Sequence, residues 1–219
     1  MGWYWKSERS AHEALELRER FPTLELKLDF AKREAEVTGV LPLTDEVGYQ
    51  VRILIPPGYP EEVPALLCSP NEVPRKDYRH NSGEYACLCA RCDYRKYWPR
   101  GSTLPNFIES LVVPFLTCQH YYDIHGHWPQ SGEREHGAPG IVQAYNDFCR
   151  PLGEVTGAMI GRVVRILAVS GLPKGHNPCP CGSGKRIRDC HRSEIEQMRS
   201  MISPRDAAQD LADLLGRQT

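Results

Sequence analysis

No stretch of this chain stays apolar for the about eighteen residues a membrane-spanning helix needs, so nothing in it reads as a bilayer span. Excess charge is missing too. The 27 Lys and Arg against 28 Asp and Glu leave a net charge of -1, which removes the electrostatic basis for a broad nucleic-acid footprint. No internal repeat is visible, which sets aside solenoids and propellers. The opening residues Met1-Gly2-Trp3-Tyr4-Trp5-Lys6 turn charged too early for a signal peptide, and Lys6 breaks the myristoylation pattern. The expectation is a cytoplasmic protein in a reducing compartment.

What is present is an ordinary soluble composition, 41% hydrophobic and 25% charged over 219 residues. That length suits one good-sized domain plus an appendage. The unusual surplus is nine cysteines and eight histidines. Their spacings point to metal binding and a reactive thiol rather than to a secreted disulfide framework.

Hydrophobic periodicity predicts the element order. Ser10 and Glu13 read as a capping box before a helix from Ala11 to about Arg20. Leu24, Leu26, Leu28 and Phe30 alternate with polar residues as a half-buried strand does. Ala35, Val37 and Val40 mark a second strand, Val47 to Ile55 a third, and Ala65 to Cys68 a fourth. Their short links predict an antiparallel meander. Asn71 to Ser102 is aperiodic, a length of loop that usually carries function. Leu104, Phe107, Ile108, Leu111, Val112 and Phe115 then lie on one helical face, which Pro114 should kink or end. Residues 117–140 read as more loop than helix, with His125, His127 and His136 as potential metal or site residues, although surface or packing roles suit each of them better. Further helices are expected near Ile141, over Glu154 to Ser170, and from the caps Ser193/Glu196 and Ser203/Asp206. A linker is expected at about Leu172–His176.

The stretch Asn177–His191, NPCPCGSGKRIRDCH, sets Cys179, Cys181, Cys190 and His191 in a CxC, eight-residue, CH spacing. Three thiolates and an imidazole make the closed ligand shell of a structural zinc site. Gly182 and Gly184 permit the reversal that brings the two pairs together. The stretch resembles the SEC-C zinc motif, which is appended to many unrelated bacterial proteins. A structural zinc is therefore expected. The module should owe its folding to the metal, about 10–16 kcal/mol in comparable peptides. Lys185, Arg186 and Arg188 leave its surface basic, which suits docking a partner protein or an acidic or nucleic-acid surface.

Several motifs of the first 118 residues fall in a telling order: Tyr59-Pro60 and Pro64 after the third strand, then His80-Asn81, Cys87-Leu88, Trp98-Pro99, and the helix from Leu104. This order resembles the ubiquitin-conjugating enzyme (UBC) fold, and the segment 118–145 resembles divergent bacterial relatives. The resemblance implies an α+β domain over 1–150, a helical extension over 151–172, and the zinc motif with its C-terminal helices over 173–219. It also implies an acyltransferase. Cys87 would accept the C-terminal acyl group of a ubiquitin-like protein, or of another protein, from an activating enzyme and pass it to a target protein. Anti-phage defence operons are the context those relatives suggest.

A thiolate suits that chemistry as nucleophile and leaving group alike. Two assignments stay open. Cys89 has the better spacing from Asn81, while Cys87 has the following Leu. Asn81 reads equally as an oxyanion donor, worth about 10²–10³-fold in rate, and as a turn residue capping backbone amides. His80 reads as a brace of the loop, and no third residue completes a protease triad. Two alternatives compete with the enzyme: a non-catalytic binding module of the same fold, and a metal or redox sensor built on Cys87, Cys89 and Cys92, with Cys68 as a further ligand.

Overall fold

A computed structural model of the chain describes residues 4–81, 83–129, 134–171 and 173–216. The first three residues and the expected linker residue Leu172 lie outside the described residues. The fold is α+β, and its contacts divide the chain into two compact units. One unit holds Met1–Leu88 and Tyr97–Glu133; the other holds Cys89–Lys96 and Arg134–Thr219.

In the first unit, helix α1 (Glu8–Arg20) leads into strands β1 (Leu24–Asp29), β2 (Glu34–Pro42), β3 (Gly48–Ile55) and β4 (Ala65–Cys68). They form one antiparallel sheet in the order β1-β2-β3-β4, the meander their alternation predicts. The register sets Val37 opposite Ile53, and Val51 opposite Cys68, so every second side chain faces one core. Burying a side chain such as Ile53, 0% exposed, contributes about 1.5–3 kcal/mol. At Gly39 the backbone has φ +146, and a Cβ would stand 2.2 Å from the Thr23 carbonyl oxygen, so only glycine fits this approach to β1.

The helix that starts at Leu104 does not end at Pro114. Helix α2 (Leu104–Phe107) passes through a π-helical turn (Ile108–Val112) into helix α3 (Val113–His125). The turn pairs the Val113 amide with the Ile108 carbonyl, five residues back. A widened turn beside Pro114 lets the helix run past a residue that has no amide to offer. Helix therefore extends to His125 through residues expected to be loop. Leu104, Phe107, Ile108, Leu111, Val112 and Leu116 are all buried.

The cap of α1 also differs from expectation. Ser7, not Ser10, accepts the Ser10 amide as N-cap. Glu13 turns inward, 1% exposed, and accepts hydrogen bonds from the Leu104 amide (2.7 Å), from Tyr4 and from Tyr59. It thus supplies an orphan donor at the start of α2 with its partner. Tyr59 stacks between Trp5 (5.8 Å) and Trp98 (5.9 Å), which ties the proline-rich turn after β3 to the helical layer. Burial, reinforced by the Glu13 charge, raises the Tyr59 phenol far above its ordinary range.

The second unit contains helices α4 (Gly137–Phe148), α5 (Gly157–Ala168), α6 (Arg192–Met201) and α7 (Pro204–Leu214). Thr156 caps α5, and Ser203 caps α7 with Pro204 in its first turn. The expected cap Ser193 lies inside α6, which begins at Arg192. Met159, Ile160, Val163, Val164 and Leu167 give α5 a continuous buried stripe. Cys179, Ile187, Ile195, Met198 and Ala207 share that core, so the cysteine-rich segment is part of a helical unit and not a separately folded tail.

Candidate functional site

The short segment from Asn177 to His191 folds into a knuckle held by its own backbone. The Cys179 amide donates to the Lys185 carbonyl at 2.8 Å, and the Ile187 amide donates to the Asn177 carbonyl at 2.9 Å. Between them Gly182 and Gly184 adopt φ +85 and +74, where only glycine sits without strain. Arg162 on α5 supports the turn: its Nε donates to the Pro180 carbonyl at 2.8 Å.

This folding brings the four predicted ligands together, with all donor atoms within 4.8 Å of one another. The His191 Nδ1 lies 3.4 Å from the Cys179 Sγ and 3.3 Å from the Cys190 Sγ, and the Cys181 and Cys190 sulfurs are 3.7 Å apart. A four-coordinate ion at ordinary sulfur and nitrogen bond lengths would give edges of about 3.5–3.8 Å. The group is therefore sized to hold a metal ion. Burial resists ionisation of Cys181, but hydrogen bonds with Ser183 and the neighbouring thiols outweigh it and draw the thiol down to about 6. Burial pushes Cys179 the other way, up to about 12.

Among the described residues no other group of three or more Cys, His, Asp and Glu side chains could hold a metal. Cys68, Cys87, Cys89, Cys92, His125, His127 and His136 belong to no such group. Cys92 is 1% exposed in the apolar core of the second unit, where burial raises its thiol. The adjacent Arg91 donates to Asp210 (2.6 Å) and Asp213 (2.8 Å) on α7, and Tyr145 donates to the same buried Asp210 at 3.0 Å. Sequence spacing gives no hint of this network, because Arg91 and Asp210 are 119 residues apart.

In the first unit, the loop after β4 carries His80, Asn81 and Cys87. A single 3-10 turn, Asp77–Arg79, ends on His80 in the left-handed region, φ 51 and ψ 31. That conformation is uncommon for a residue with a side chain. It aims the His80 carbonyl at the Cys87 amide, which donates to it at 2.8 Å, while the Ala86 amide donates to the Leu66 carbonyl at 2.8 Å. The His80 ring meets Trp128 edge-on at 5.3 Å. Asn81 is buried, and its Nδ2 donates to the Val73 carbonyl at 2.8 Å. The bond ties Asn81 to a backbone carbonyl and is not the capping of backbone amides expected of a turn residue.

The cysteines sort by exposure. Cys87 is exposed and Cys89 half-buried. Burial raises Cys68 and Cys149 to about 12 each, and it raises Cys118 as well. Outside the metal-ligand set, Cys87 is thus the exposed thiol among the described residues, and Cys89 and Cys118 are half-buried. Trp98 is core, its Nε1 donating to the Thr103 carbonyl at 2.9 Å.

Among the described residues no helix is long and apolar enough to cross a membrane. Comparison with protein-family models, with curated proteins and with solved structures yields no match.

Proposed function

We propose that the chain is a thioester-forming acyltransferase of the ubiquitin-conjugating type, with Cys87 as the acyl carrier and a structural zinc in the Cys179–His191 knuckle. The observation that carries the reading is the exposed Cys87, whose amide is fixed to the His80 carbonyl in a loop between a four-stranded meander and the helix that starts at Leu104. The order of motifs along this loop supports it as well. In the reaction, the Cys87 sulfur attacks the activated C-terminal carbonyl of a ubiquitin-like protein, or of another protein, and expels the leaving group of the activating enzyme. An amine, hydroxyl or thiol of the target then attacks the thioester and releases the Cys87 thiolate. Zinc is favoured by the donor set, since three thiolates and an imidazole select it over oxygen-loving cations. With all four positions filled by protein, the ion would serve folding and leave the chemistry to Cys87.

A second reading, a binding module of the same fold, is favoured by the engagement of Asn81 with Val73, which turns the candidate oxyanion donor to bracing. The two readings part in one experiment. The chain is purified from cells that also express its genomic neighbours, with Cys87→Ser and Cys89→Ser beside it, and resolved on reducing and non-reducing gels with intact mass. The enzyme reading expects a protein-sized adduct that thiols release from the wild type and that persists as an ester in Cys87→Ser. An adduct that persists only in Cys89→Ser moves the carrier to Cys89. No adduct in any lane supports the binding module.

A further inference from the structure

The geometry points to Arg79 and Gln119 as a buried bracket that positions the Cys87 loop, an inference that rests on reading Cys87 as the acyl carrier. Arg79 ends the 3-10 turn that His80 closes, and its side chain is 5% exposed. Its Nε donates to the Gln119 Oε1 at 2.7 Å, and the Gln119 Nε2 donates back to the Arg79 carbonyl at 2.8 Å. Gln119 itself is 0% exposed on α3. The guanidinium also pairs with Asp123 at 2.7 Å and lies 4.8 Å from the centre of the Tyr122 ring.

The reciprocal pair fixes Arg79 at side chain and backbone together. That is a stronger constraint than either bond alone, because shifting the turn would strand buried polar groups on both partners. The next residue is His80, held in a left-handed conformation that the surrounding structure must enforce. Its carbonyl takes the Cys87 amide. The bracket thus acts one residue away from the group that orients Cys87 and touches no reacting atom. Arg79 and Gln119 are positioning residues. A lysine at position 79 would keep the charge but lacks the fork that reaches Gln119 and Asp123 at once.

The loop contains its own control. The Cys87 amide bonds to His80, on the bracket side, while the neighbouring Ala86 amide bonds to Leu66 in β4. A loss of overall stability exposes both amides, whereas loss of the bracket exposes the first alone. The test is residue-resolved amide hydrogen exchange by NMR on the full chain, for wild type, Gln119→Leu, Gln119→Glu and Arg79→Lys, with adduct formation measured on the same proteins.

In Gln119→Leu and Arg79→Lys the Cys87 amide should exchange about tenfold faster or more while the Ala86 amide keeps its protection. Gln119→Glu, which retains an acceptor for the Arg79 Nε, should restore Cys87 protection to within about threefold of wild type. Adduct formation should slow in the same order. If Gln119→Leu does not fold, Asp123→Ala carries the test, since that side chain is 41% exposed and the expected change is smaller in the same direction. Unchanged Cys87 exchange in folded variants, or equal loss at Cys87 and Ala86, overturns the bracket. Selective loss at Cys87 in a protein that forms no adduct even as wild type upholds the bracket and overturns the acyl-carrier reading instead.

Discussion

The two cysteine-bearing irregular segments are held in opposite ways. The knuckle from Asn177 to His191 closes on itself, with ligands, glycines and backbone bonds all within fifteen residues, and a metal can complete it. The Cys87 loop has short local ties, from the Cys87 amide to His80 and from Asn81 to Val73, and leans on distant elements as well. Its anchors are Leu66 in β4, Val73, and Gln119 on α3, forty residues beyond Arg79. A local segment can depend on one ion for its order, whereas a segment anchored at scattered points loses order piece by piece. The comparison implies that the two regions fail independently and by different agents.

The largest effect should come from metal removal. Because Cys179 and Ile187 lie in the same core as α5, α6 and α7, a strong chelator or Cys181→Ser should abolish exchange protection across those three helices. The sheet of the first unit should keep its protection, and native mass spectrometry of the untreated protein should count one ion per chain. Protection lost equally in both units would break the comparison. Next in size, Phe107→Ala should cost about 3–5 kcal/mol in the first unit, because its fully buried ring meets Trp98 edge-on. Urea titration followed by tryptophan fluorescence would measure it, and the metal count should not change.

Asn81→Ala is smaller. It leaves the Val73 carbonyl without its partner, at about 1–3 kcal/mol, read as a lower urea midpoint with an unchanged slope. The last effect depends on pH. Burial raises the Cys68 thiol from 9.0 to about 12, so the unfolded chain releases this proton first. The resulting contribution to stability is full below about pH 9 and is lost as pH climbs through about 12. Cys68→Ala should be less stable at neutral pH and show a shallower alkaline decline, a difference that vanishes if the thiol titrates at its ordinary value.

What could be read from the sequence follows the same division. The meander was legible because alternation is a nearest-neighbour signal, and the metal cluster because its ligands sit within thirteen residues of one another. The misreadings share one cause, a distant partner or a local adjustment that spacing cannot reveal. Glu13 satisfies a capping-box spacing from Ser10, yet its partners are Tyr4, Tyr59 and the Leu104 amide, the last 91 positions away. Pro114 has the look of a helix end, but one π-helical turn carries the helix on to Gln119 and Asp123, the residues that grip Arg79. The candidate nucleophile was legible as a choice between two cysteines, and exposure ranks them in the order Cys87, Cys89.

The clamp on Arg91 has a consequence for how the chain is made. Residues 89–96 emerge from the ribosome well ahead of α7, whose Asp210 follows Arg91 by 119 positions. At about 5–20 residues per second, that strip waits several seconds for its partners. Over that interval the Cys92 side chain, destined for an apolar core, has only the earlier elements of that core, such as α4 and α5, to cover it. The first unit is complete in sequence once Glu133 has emerged, so it can close around its sheet while the strip 89–96 still waits for α7. A ribosome stalled before Asp210 would hold the chain in that half-finished state.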